Sequence, residues 1–245
     1  MPNLTRRHSM VLLAAAALLS SAAQAETVIG SGRMVNENRA VAAFEAVTLE
    51  GSFTVKVSQG SREALELRAD DNLLPLIETE VESRSGRPTL VLRWKRSTSV
   101  RNSGDIVISV EARTLRALSA AGSGTIEAEA IEGDGLALAV AGSGDLRVGR
   151  VVLNELQASV AGSGDIRAGG SAAAVKLSIA GSGDVDLAGV EAEQVKVSIA
   201  GSGDASVTAH QSLSVSIAGS GDVRYGGRVQ TVKRSIVGSG DVQRR

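Results

Sequence analysis

The stretch Ser178–Asp204 reads SIAGSGDVDLAGVEAEQVKVSIAGSGD; it begins and ends with the same seven residues, twenty positions apart. AGSGD stands also at Ala141–Asp145, Ala161–Asp165 and Ala218–Asp222, AGSGT opens the series at Ala121–Thr125, and VGSGD closes it at Val237–Asp241. The first glycines of the motif are Gly122, Gly142, Gly162, Gly181, Gly201, Gly219 and Gly238, in steps of 18 to 20 residues. A fixed period of this length marks a repeat architecture in which each unit buries its apolar side only against its neighbours.

Within each period the residues alternate. Val195, Val197 and Ile199 take turns with Lys196 and Ser198, and one repeat earlier Val175, Leu177 and Ile179 take turns with Lys176 and Ser178. After the motif, Leu146 and Val148 alternate with Asp145 and Arg147. A period of two means strands. Each repeat therefore reads as two short strands joined by Gly-Ser-Gly, with a variable turn such as AGGSAA (Ala168–Ala173) completing the circuit. No helix reads between them. Coils of about 20 residues stacked at about 4.8 Å make a parallel β-solenoid, and seven of them would stand about 34 Å tall. The expected fold class is all-β, a right-handed parallel β-helix, the hand following from the usual sense of parallel crossovers. The glycines supply the positive φ that a sharp corner needs. As a phosphate cradle the motif would need a helix N-terminus behind it, and none follows. A nucleophile elbow carries its serine in a different frame.

The chain opens with Arg6-Arg7, the apolar run Met10–Leu19 and Ala23-Gln24-Ala25, a secretory signal pattern with cleavage expected after Ala25. The mature chain, Glu26–Arg245, holds 24 basic and 27 acidic residues, no cysteine and no second apolar stretch long enough to span a bilayer. Disulfides are excluded, and the charge balance does not suit nucleic acid. The only aromatics are Phe44, Phe53, Trp94 and Tyr225, so the core must be Ala, Val, Leu and Ile. The expectation is one β-helix domain over 26–245, with irregular capping coils over 26–115 and regular GSGD coils over 116–245. In the irregular part, Phe44–Gly60 reads as two strands, Asn72–Ile77 as a short helical turn, and Gly30-Ser31-Gly32 as an early copy of the corner.

GSFTVKVSQG (Gly51–Gly60), LRADDNLLPLIETEVES (Leu67–Ser83) and the GSGD series together resemble the putative auto-transporter adhesin head domain, or GIN domain, a domain of unknown function. ADDNLL at Ala69–Leu74 is the most specific part, and the likeness runs from about Ala40 to the last repeat. The resemblance implies an exported bacterial β-helix, in the periplasm or at the cell surface, with an adhesin-like role. It supplies no catalytic residue and no cofactor.

The chemical inventory is thin. The mature chain has one histidine, His210, in the expected turn TAHQS (Thr208–Ser212), so no His/Cys metal cluster can be built. Asp145, Asp165, Asp184, Asp204, Asp222 and Asp241 recur at one position per coil. Like charges about 4.8 Å apart repel by about 1 kcal/mol in water, so Arg147 beside Glu127, Arg167 beside Asp186, and bonds to corner N–H groups are expected to relieve them. A calcium site is the alternative use, with Asp184, Asp186 and Asp204 as candidates. Ser159, Ser178, Ser198, Ser216 and Ser235 form an outward serine ladder, and Tyr225 points inward. The expected role is a non-catalytic binding or structural module whose partner is a cell-surface protein or glycan. The alternative is a polysaccharide-active enzyme using an acidic face, which a localised charged cleft would favour.

Overall fold

The structure, a computed structural model, describes residues 26–101 and 104–245; the segment expected to be a signal, residues 1–25, lies outside the described residues. The strands are β1 Glu26–Ile29, β2 Met34–Arg39, β3 Ala46–Gly51, β4 Thr54–Gln59, β5 Ala64–Asp70, β6 Ile77–Arg84, β7 Arg87–Trp94, β8 Thr98–Arg101, β9 Val107–Ala112 and β10 Ala117–Gly122. The regular part follows: β11 Thr125–Gly142, β12 Asp145–Gly162, β13 Ile166–Gly181, β14 Val185–Gly201, β15 Ala205–Gly219, β16 Val223–Gly226, β17 Thr231–Gly238 and β18 Val242–Arg244.

The regular part is a parallel β-solenoid of about six turns of about 20 residues, bounded by the seven corners. Every turn repeats in register: Ile126, Leu146, Ile166, Val185, Ala205 and Val223 stack in one column, as do Val140, Val160, Ile179, Ile199 and Ile217 in another. These inward columns are buried, and with Val148, Val151, Leu156 and their equivalents they form one continuous aliphatic core. Ser159, Ser178, Ser198, Ser216 and Ser235 align as the outward serine ladder.

One expectation changes in kind. The first five turns are not two strands with a loop but single bent strands of 15 to 18 residues from corner to corner; only the last, β16 and β17, keeps two strands joined by a loop. The bends are taken within the ladder, at register shifts such as Val148/Val151 and Leu187/Glu191. Gly170, in the stretch read as a turn, takes φ +115 there and keeps its place beside Val151.

The N-terminal half is a cap of a different construction. Here β3 and β4 add a further parallel coil beneath β10 and β11, with Gly51 stacked under Gly122 and Thr54 under Thr125. Gly51-Ser52-Phe53 is therefore the first corner. Gly30-Ser31-Gly32 is not: it follows β1, which among the described residues pairs only with β8, in a separate two-stranded sheet. Antiparallel pairs then close the end, β6 on β7, β5 on β9 and β2 on β5. The helical turn is present as a 3-10 turn at Leu74–Leu76, with Pro75 in its first turn. Arg39 holds it, donating to the carbonyls of Leu74 (2.7 Å) and Ile77 (2.6 Å).

ADDNLL is the latch of this cap. Asp71 accepts from the Ser31 hydroxyl (2.5 Å) and from Arg33, while Asn72 receives the Ser31 N–H (3.0 Å) and donates to the Ile29 carbonyl (2.8 Å). The family-specific residues thus fasten the first strand to the rest. The Ser31 hydrogen bond, then Arg33, holds the Asp71 carboxyl below its ordinary 3.8.

Candidate functional site

At four successive corners an aspartate bridges one coil to the next. Asp165 Oδ1 accepts the N–H of Asp184 (3.2 Å), Asp184 that of Asp204 (2.9 Å), Asp204 that of Asp222 (2.8 Å) and Asp222 that of Asp241 (2.9 Å). Each carboxylate therefore satisfies a backbone donor of the next coil, a charge-assisted bond stronger than a neutral one. Arginines relieve part of the repulsion, in one of the two expected pairings and in pairs with the ladder itself. Arg147 bonds Asp145 at 2.6 Å and reaches Glu127 at 3.9 Å, whereas Arg167 bonds Asp165 at 3.0 Å and not its ladder neighbour Asp186. Asp186 turns back to accept the N–H of Ala188 (3.0 Å).

The calcium candidates each have one oxygen engaged in a backbone hydrogen bond. Asp184 and Asp204 each commit one oxygen to the next coil, and Asp186 commits one to its own strand. Among the described residues no three His, Asp or Glu side chains are grouped so as to hold a metal ion. His210 is not in a loop: it lies on β15, half-buried, with Nε2 2.5 Å from Glu191 Oε2. Tyr225 is buried as expected, and its hydroxyl accepts from Arg234 (3.2 Å).

One step along the sheet from the ladder lies a second outward column, which runs unbroken through both halves of the molecule. Asn38, Glu66, Ser109, Lys56, Glu127, Arg147, Arg167, Asp186, Ser206, Arg224 and Gln243 are successive register partners. Charges of both signs and hydroxyls thus succeed one another at strand spacing. At the N-terminal end of this row the sheet surface sinks into a groove of about 490 Å³. Val57, Leu65, Val110 and Ala128 form its buried floor, and Glu66, Glu127, Glu129 and Lys56 stand around it. Glu111, also at the rim, is held by Arg62 (3.2 Å) and by the Ser61 N–H (3.2 Å). Sequence reasoning missed the first four members of the row. They belong to the irregular half, and their alignment is visible only once Gly51-Ser52-Phe53 is recognised as a corner.

A parallel β-solenoid with a polar row on one face and an antiparallel cap is, as a class, a scaffold for extended binding surfaces. The chain belongs to the family described as putative auto-transporter adhesin, head GIN domain, which matches residues 43–229. Crystal structures of the same fold include a putative adhesin from Bacteroides fragilis NCTC 9343, 22% identical with a TM-score of 0.80, matching 89% of this chain and 100% of that one. A putative lipid binding protein from Parabacteroides distasonis ATCC 8503 is 23% identical with a TM-score of 0.73, and a putative adhesin from Parabacteroides merdae ATCC 43184 is 24% identical with a TM-score of 0.68. Each of these covers 90% of this chain and 100% of its own. A search of curated proteins returns no match. Among the described residues no helix is long and apolar enough to cross a membrane.

Proposed function

We propose that the protein is an exported, non-catalytic binding module of the bacterial cell envelope, and that an extended polar ligand, a surface glycan or a cell-surface protein, lies along the row from Asn38 to Gln243. The observation that carries this reading is the continuity of the row: eleven polar positions in register across cap and solenoid. A ligand with polar groups at regular intervals finds donors and acceptors at every strand. The family supports it, since adhesin heads are binding modules by description.

The groove favours a second reading, a polysaccharide-active enzyme. Such chemistry needs one carboxyl kept protonated by an apolar surround and another kept ionised. Glu66, Glu111 and Glu127 are only half-buried and Glu129 is exposed, so all four reach water. That weighs toward binding. The deciding experiment incubates the mature protein with envelope polysaccharide from the producing cells. Retention without new reducing ends is the expected result, and release of reducing ends would establish the enzyme. Mass spectrometry of the native protein should give Glu26 as its first residue; an intact Met1 on cytoplasmic protein would contradict export.

A further inference from the structure

The two ends of the solenoid face are both open. At the C-terminal end, β17 pairs with β15 on one side, and among the described residues nothing pairs with its other side. Its Ile236, 39% exposed, ends a column whose other members, Ile217, Ile199 and Ile179, are buried, and Val237, 74% exposed, puts a large apolar side chain in the outward column that Ala218, Ala200 and Ala180 occupy in the coils before it. The same end is basic. Arg224, Arg228, Lys233, Arg234, Arg244 and Arg245 cluster in the last turn, and among the described residues none of them forms a salt bridge.

At the other end of the same face, β6 is the outermost strand and, among the described residues, pairs only with β7. Its outward positions are Glu78, Glu80 and Glu82, which Arg93 gathers at 2.9, 3.0 and 2.6 Å. Arg84 bonds Glu82 (2.9 Å) and Glu50 (2.5 Å). Four carboxylates thus meet two guanidinium groups, and this edge is acidic.

The two edges match. Both strands are eight residues long. Followed through the sheet, Lys233, Ser235 and Val237 stand in the columns of Thr89, Val91 and Arg93, whose partners on β6 are Glu82, Glu80 and Glu78. We propose that the C-terminal edge strand β17 docks on strand β6 of a second copy of this chain, so that molecules stack head to tail with their columns continued. Lys233 then stands against Glu82 and Ser235 against Glu80, while Val237 and Ile236 are covered by the β6 side chains. The junction is an antiparallel pair, because β6 runs opposite to the solenoid strands. It joins unlike surfaces, so the assembly does not close at two and grows as a filament. Charge complementarity selects this occupant over an end-to-end dimer, in which the six cations would face their own copies.

Sedimentation velocity of the mature protein over a rising concentration series tests the proposal. At low salt the weight-average mass should pass twice the monomer and keep rising, and the rise should weaken as salt shortens the screening length from about 10 Å at 0.1 M to about 3 Å at 1 M. The variant carrying Lys233→Glu and Val237→Asp loses the C-terminal edge, and Glu80→Lys alters the other; all three positions are exposed, and circular dichroism checks that each variant keeps its strands. Each alone should stay monomeric, and the two mixed should give a species that stops at two, because each retains one working edge. A wild type that stays monomeric throughout, a symmetric dimer that grows no further, or variants that associate as the wild type does would overturn the proposal.

Discussion

The two glycines of each corner are required for different reasons. The first takes φ between +118 and +144 from Gly122 through Gly238. The second has no such φ but lies so close to the coil before it that a Cβ on Gly203 would come within 2.2 Å of the Gly183 carbonyl oxygen. In the first corner Phe53 replaces that second glycine, since only the cap, and no earlier coil, lies beneath it, and its ring packs on Trp94 at 4.8 Å. Gly201→Ala, strained in φ and 2.2 Å from the Gly181 oxygen, should cost about 1–3 kcal/mol or more. Gly133→Ala, with nothing within 4 Å, should change stability by less than about 0.5 kcal/mol in the same denaturant titration. The register makes a second claim at this scale. Val197 is 1% exposed and Ser198 lies on the outer ladder. Val197→Asp should cost several kcal/mol by burying an unpaired charge, and Ser198→Asp about 0.5 kcal/mol or less. Equal losses of Tm would mean the faces are exchanged.

At the scale of the element, the sequence announced what repeats and concealed what does not. Corners, inward columns and the serine ladder were legible because stacking forces identical residues into identical places. The long bent strands were not, because a bend taken inside a ladder still leaves Gly and Ala, the residues of a turn, in the sequence. The antiparallel cap was not legible either: alternation in β5, β6 and β9 gives the faces but carries no strand direction. The latch at Asp71 is an element-scale device with a pH signature. Its carboxyl is depressed in the folded state by Ser31 and Arg33, so its stabilisation is fully present above the ordinary value of 3.8 and is lost as pH falls through the folded value. Protection of the Ser31 amide, measured by hydrogen exchange and corrected for intrinsic rate, should therefore fall below about pH 4. Asp71→Asn should remove that pH dependence, and an unchanged profile would show that the latch lies elsewhere. The aspartate ladder has its own test. With one oxygen of Asp165, Asp184, Asp204 and Asp222 engaged by an N–H of the next coil, calcium should raise Tm no more than magnesium does. A saturable, calcium-selective rise, following RT ln(1 + [L]/Kd) and abolished by Asp186→Asn, would make Asp184, Asp186 and Asp204 a binding site instead.

At the scale of the whole molecule, the proposed ligand meets a surface rather than a pocket. The solenoid supplies a rigid lattice of about 4.8 Å spacing, and the cap continues one of its outer columns through β4, β9, β5 and β2. None of the six aspartates of the ladder and none of the three calcium candidates is needed for that surface, apart from Asp186, which is also a member of the row. The repeats made the ladder conspicuous in the sequence, while the row, drawn partly from unlike residues of the cap, needed the register to be seen. The most direct measurement is co-sedimentation of the mature protein with cell envelopes of the producing bacterium, comparing wild type with the double variant Arg147→Ala, Arg167→Ala and with the off-row control Lys176→Ala, Lys196→Ala on the serine face. The account predicts retention of the wild type and of the control, and at least a tenfold weaker retention of the row variant, about 1.4 kcal/mol of binding, with Tm lowered by no more than the loss of exposed ion pairs at Arg147 and Arg167 brings. Equal retention of all three, or loss only in the serine-face control, would contradict it.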